Sequence, residues 1–119
     1  MSTDKAGKVM MVYLGAPYSS PKPAVRELRF HQANVAAAKL MAKGFVVFSP
    51  ISHSHPIAAY LDEQLLLDHE FWMAQDLGIL EKADKLVVLR VDGWEKSRGV
   101  AAEIAHAEKC GIPIEYMDY

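Results

Sequence analysis

Residues 9–15 read VMMVYLG, a stretch of strand length with no polar alternation. Such a run suits a parallel strand covered on both faces, because a strand with one wet face would alternate apolar and polar residues. Residues 45–48 form a short second strand, residues 85–91 (KLVVLRV) a third and residues 112–116 a fourth. Between them lie helical patterns. In residues 24–43, Val25, Leu28, Val35, Ala36 and Leu40 recur at helical spacing, and Gly44 stands where a helix ends. Residues 61–82 read as one long helix with a possible break near Asp62, and residues 99–109 as the last helix, ended by Gly111. Strands alternating with helices across short loops predict right-handed crossovers and a parallel sheet of four to five strands in a three-layer α/β sandwich.

The chain of 119 residues, 51% of them hydrophobic, fits one domain with a modest core. Residues 1–8 are polar and aperiodic and read as a disordered or tag-like start, so the predicted domain spans residues 9–119. A net charge of -2, with both signs mixed along the chain, gives no electrostatic case for a long nucleic acid. No apolar run approaches the ~20 residues needed to cross a bilayer. The lone Cys110 allows no internal disulfide and no thiolate-rich zinc site, and no signal segment opens the chain. The expectation is a cytoplasmic protein with no membrane partner, no cofactor and no metal.

In an open parallel sheet the site lies beyond the carboxyl ends of the strands, so the segments 15–24, 49–56 and 92–99 should converge there, each read as a loop. The third opens a helix. Ser97 is a natural N-cap, Gly99 permits close approach to the backbone, and Ser97, Arg98 and the free amides together could hold a phosphate. An ordinary capped surface helix would read the same way. One turn further on, Glu103 is a lone carboxylate among Val100, Ala101, Ala102, Ile104 and Ala105. A solvated glutamate is the commonest reading, yet the small neighbours would let a substrate approach for attack by the carboxylate.

Asp68, Trp72 and Asp76 fall at i, i+4 and i+8 on the long helix, which would put two carboxylates and an indole on one stripe. Asp76 is the choice for a second carboxylate near Glu103, since glycosyl transfer with retention uses two carboxyl groups and partial burial would keep a proton on Asp76. Tyr13 is either a core tyrosine with a satisfied hydroxyl or a group that orients a carboxylate. His53 and His55 precede Pro56 in SHSHP. They could join Glu103 and His106 around a metal, but a substrate-contacting role is the better fit with no cysteine beside them.

With these residues placed, the chain resembles the nucleoside 2-deoxyribosyltransferase superfamily, including its deoxynucleoside 5′-monophosphate N-glycosidase branch and small uncharacterised relatives. The resemblance rests on residues 12–18 (VYLGAPY), on Asp76 in QDL, on Ala83-Asp84 before the third strand, and on residues 97–103 with the small-residue helix behind them. It implies a single-domain doubly wound, flavodoxin- or Rossmann-like fold. It also implies Glu103 as nucleophile forming a glycosyl ester, Tyr13 as the group that positions it, and Asp76 as the carboxylate serving the leaving base. Ser97 stands where the transferases of free nucleosides carry an aspartate and where the monophosphate branch carries a phosphate-contacting serine, which points to a nucleotide. Pro17 and Ser19 in the first loop, Ser97, Arg98, Gly99, His53, His55 and Trp72 are the expected substrate contacts. The glycine- and arginine-rich first loop of the glycosidase branch is replaced by YSSPKP, with Arg26 and Arg29 beyond. The implied activity is cleavage or base exchange at the N-glycosidic bond of a (deoxy)nucleoside 5′-monophosphate. A non-catalytic nucleotide-sensing module is the alternative. The implied partners are a small nucleotide or nucleoside and further copies of the chain, as a dimer or tetramer.

Overall fold

In a computed structural model, which describes residues 10–119, four parallel strands form one sheet in the order β2-β1-β3-β4. The expectation for residues 1–8 lies outside the described residues. Strand β1 is Met11–Gly15, β2 Val46–Phe48, β3 Lys85–Leu89 and β4 Ile114–Met117. Helix α1 (Pro23–Ala42) links β1 to β2; α2 (Pro50–Ala58), α3 (Glu63–Leu66) and α4 (His69–Leu80) lead to β3; α5 (Arg98–Cys110) leads to β4. No described helix is long and apolar enough to cross a membrane.

The pleat of the two central strands sorts their apolar side chains into two cores. Val12, Leu14, Val87 and Leu89 pack with Ala36, Ala37 and Leu40 of α1. Tyr13, Leu86 and Val88 face the other way, onto Leu80 of α4 and Val100 and Ala107 of α5. Helices therefore cover both faces, which is why β3 is buried throughout and shows no alternation. Asp84 sets the start of the central pair: its carboxylate accepts from the Met11 N–H at 2.7 Å and its own N–H donates to the Met11 carbonyl at 2.8 Å.

Two local expectations are corrected. Residues 49–56, read as a loop because of their prolines, are mostly helix α2. Ser49 is its N-cap, accepting from the Ser52 N–H at 3.4 Å, and Pro50 stands in the first turn, where a missing N–H costs nothing. The expected long helix over residues 61–82 is two helices that break at Leu67 and Asp68. Asp62 and Asp68 each turn a carboxylate back to cap a new helix, accepting from the N–H of Leu65 and of Phe71. Asp68 is thus a cap and does not share a stripe with Asp76. Trp72 closes the break, its Nε1–H donating to the Leu66 carbonyl at 2.9 Å.

Candidate active site

Strand order 2-1-3-4 reverses direction between β1 and β3, so a crevice opens beyond their carboxyl ends, where ligands bind in sheets of this type. β1 supplies Tyr13 and Gly15 to it, and α5, which follows β3, supplies Glu103. Glu103 is only 4% exposed, and Tyr13 is fully buried. The Tyr13 hydroxyl donates a short hydrogen bond to Glu103 Oε2. Gly15 makes the fit possible: a Cβ at this position would lie 3.0 Å from Glu103 Oε1 and 3.2 Å from Leu86 Cδ1. Glu103 is therefore wedged between the end of β1 and its own helix, with one oxygen held by a phenol.

Burial pushes the Glu103 carboxyl up to about 8; the hydrogen bond from Tyr13 pulls it down and the charge of Asp76 pushes it further up. Asp76 is raised to about 6 by burial. The Tyr13 phenol is held well above its usual value by burial first, then by the charges of Glu103 and Asp76 and by its own hydrogen bond. The charge of Asp76 bears on both Tyr13 and Glu103, so burial holds two carboxyl groups of one neighbourhood near neutrality, the range in which a carboxyl group can give or take a proton.

The three segments expected to converge do so through specific bonds. Arg29 on α1 donates from Nη1 to the Ser19 carbonyl at 2.9 Å and from Nη2 to the Asp92 carbonyl at 3.5 Å, tying the first segment to the third. Gly93, at φ 90°, lets Arg29 pass: a Cβ there would lie 2.5 Å from Nη2. The second segment joins through His55. Its Nε2 meets Glu27 Oε1 at 2.7 Å and its Nδ1 meets the Tyr18 hydroxyl at 2.5 Å, while its ring stacks on Phe30 at 4.3 Å. His55 is thus engaged in holding the first loop. Arg26, which donates to the Ser20 carbonyl, and Arg29 likewise serve the loop backbone.

Of the remaining expected contacts, Pro17 is buried, Ser19 and Arg98 are exposed, and Ser97 N-caps α5 by accepting from the Val100 N–H at 3.1 Å. That bond uses a lone pair and leaves the hydroxyl proton to donate. Gly99 lies in the first turn, with Met73 Cε 3.7 Å from where its Cβ would be. His53 is exposed beside the Phe48 ring. His106 is turned toward Glu81, and among the described residues it forms no ligand group with His53, His55 and Glu103. The sequence gives Gly15 and Tyr18 no role beyond their place in VYLGAPY, Arg29 none beyond its place after the first loop, and Glu27 no local signal.

Two grooves flank the sheet. One, of 430 Å³, lies between α1 and the edge strand β2, with Phe48, Ser52 and His53 on its wall; the other, of 470 Å³, lies over β3 and β4 beside the Lys85–Glu115 ion pair. Neither is lined by Glu103.

Residues 10–119 match the model of a family described as "Domain of unknown function (DUF1937)". No curated protein matches the chain. Among solved structures, the 2-deoxyribosyltransferase of the psychrotolerant bacterium Bacillus psychrosaccharolyticus shares the fold, with a TM-score of 0.65 and 22% identity over 91% of this chain and 72% of that one.

Proposed function

The chain belongs to the DUF1937 family, and we propose that it breaks or transfers the N-glycosidic bond of a (deoxy)nucleoside 5′-monophosphate. The observation that carries this reading is the buried Glu103 carboxylate, held by the Tyr13 hydroxyl against Gly15 at the switch point of the sheet. The structural neighbour, a 2-deoxyribosyltransferase, supports it through a shared fold.

In the first step Glu103 attacks C1′, an ester bond forms, and the bond from C1′ to the base nitrogen breaks while Asp76 delivers its proton to the base. In the second, Asp76 takes a proton from water, or from a second base, as that group attacks C1′ and the ester breaks, returning Glu103 as carboxylate. Two displacements give retention. Tyr13 stabilises the Glu103 charge before attack and after release. Because Glu103 titrates above Asp76, the reactive form, with Glu103 ionised and Asp76 protonated, is a minor arrangement of their shared proton. A base accepting a hydrogen bond from Asp76 favours it. Ser97, Arg98 and the first-turn amides at Arg98 and Gly99 hold the 5′-phosphate at the positive end of α5. Ser19 borders the sugar with the buried Pro17 behind it, and Trp72 and His53 lie toward the base, while His55 acts through the first loop, both its ring nitrogens being engaged by Tyr18 and Glu27.

The test is to incubate the protein with each nucleoside monophosphate and follow free base by chromatography, with Glu103→Ala as control. Adding a second free base separates exchange from hydrolysis. A non-catalytic nucleotide sensor is the second reading, favoured by a Glu103 that is neutral at pH 7 without substrate. It predicts thermal stabilisation by nucleotide with no base released, so released base removes it. A homo-oligomer, dimer or tetramer, in the cytoplasm completes the proposal. Tyr60 (90% exposed) and Leu67 (75% exposed), in the segment that follows the His55 helix, are apolar surface for a subunit contact.

A further inference from the structure

Away from Glu103, three side chains with metal-ligating atoms meet at the carboxyl ends of two helices. Glu81 caps α4; Cys110 is the last residue of α5; His106 lies one turn before it, so that His106 and Cys110 stand at i and i+4 on one face. His106 Nε2 is 2.8 Å from Glu81 Oε1 and 3.7 Å from Cys110 Sγ. Both contacts fall on the same nitrogen. A carboxylate–imidazole–thiol relay would use the two ring nitrogens separately, so this arrangement does not activate Cys110 in that way. It does fit three ligands around a common centre: each offers one atom, and the three lie within 4.8 Å of one another.

We propose that Glu81, His106 and Cys110 form a divalent-metal site suited to Zn²⁺. Tetrahedral zinc with S, N and O ligands holds them about 3.3–3.6 Å apart; the sulfur stands near that distance from Nε2, and the exposed Glu81 and Cys110 side chains turn to bring their ligand atoms, now within 4.8 Å of each other, to it. Binding would displace the thiol proton to solvent and shift the imidazole proton from Nε2 to Nδ1, leaving Nε2 to ligate. The ionised carboxylate and thiolate then balance the two positive charges of the ion. The carboxyl ends of α4 and α5 add the negative ends of two dipoles, which favour a cation. Water completes the fourth position, since Glu81 and Cys110 are exposed. The donor set, one soft, one intermediate and one hard ligand, suits zinc better than calcium or magnesium.

Titrating the chelator-treated protein with Co²⁺ should give a thiolate-to-cobalt absorption band saturating at one equivalent, which Zn²⁺ then abolishes by displacement. Cys110→Ser should abolish the band, and Cys110→Ser, His106→Ala and Glu81→Gln should each weaken Zn²⁺ binding, followed by calorimetry, more than about tenfold, a loss that even an outer-shell change can cause. Absence of the band at excess Co²⁺, or Zn²⁺ binding of unchanged affinity in Cys110→Ser and Glu81→Gln, would overturn the proposal. Both of these residues are exposed, so the two variants keep the fold and decide the matter even where His106→Ala does not.

Discussion

Replacing Glu103 by Gln should make the protein more stable and inactive at once, and the gain should depend on pH in a specified direction. Burial raises the Glu103 carboxyl from its ordinary 4.5 to about 8, so between these values the folded protein holds a proton that the unfolded chain has released. Folding stability is then greatest below pH 4.5, falls as pH rises, and levels off once the folded-state value of about 8 is passed. The gap corresponds to a loss of at most about 5 kcal/mol, a third or more of the stability of a typical domain. Glutamine has the same shape, still accepts the Tyr13 hydrogen bond and does not titrate. Urea unfolding of both proteins from pH 5 to 9 is the assay. The wild type should lose stability steadily up to about pH 8, while Glu103→Gln keeps only the smaller decline that Asp76 contributes between its ordinary 3.8 and about 6. The two curves should nearly meet at pH 5 and separate by several kcal/mol at pH 9. Parallel curves across this range, or a wild type that gains stability with rising pH, would refute the burial argument. Base release should be lost in the variant at every pH, because an amide is no nucleophile.

Gly15→Ala should cost about 1–3 kcal/mol in thermal unfolding and about 100-fold in kcat/KM, since its methyl meets Glu103 Oε1 at 3.0 Å and Leu86 Cδ1 at 3.2 Å. Tyr13→Phe removes a bond to a charged acceptor worth about 1.5–3 kcal/mol, which lets the Glu103 carboxyl rise further, so the falling limb of the pH–activity profile should move about 1–2 pH units higher and the maximal rate should drop at least about tenfold, because the arrangement with Glu103 ionised becomes rarer. Ser97→Asp keeps the cap on α5 and therefore the melting temperature, but sets a carboxylate against a phosphate; turnover of monophosphates should fall while that of free nucleosides is spared or raised. His55→Ala breaks the bonds to Tyr18 and Glu27, and should raise KM more than it lowers kcat while making the first loop easier to cleave by protease.

The elements that carry the sheet were legible because their signals are local. An apolar run without alternation marked β1, helical spacing closed by Gly44 marked α1, and Ser97 with Gly111 bracketed α5. Where two local signals compete, the sequence is ambiguous. Pro50 suits a loop, but with Ser49 before it starts a helix, and Asp68 suits a helix face, but its side chain caps α4. In each case the residue type suits both roles, and the choice rests on which backbone amides need a partner.

By itself, the sequence determined a parallel α/β domain and a short roll of polar residues at its strand ends, because periodicity and capping act within a few residues. Only the tertiary structure decided which of them meet. Tyr13 reaches Glu103 across 90 positions because the pleat turns it to the face that α5 covers, and Gly15 matters because β1 lies beside β3 in the order 2-1-3-4. Glu81 reaches His106 because α4 and α5 pack on the same face. Strand order, register and burial are long-range properties, and they set both the carboxyl values of the site and its partners.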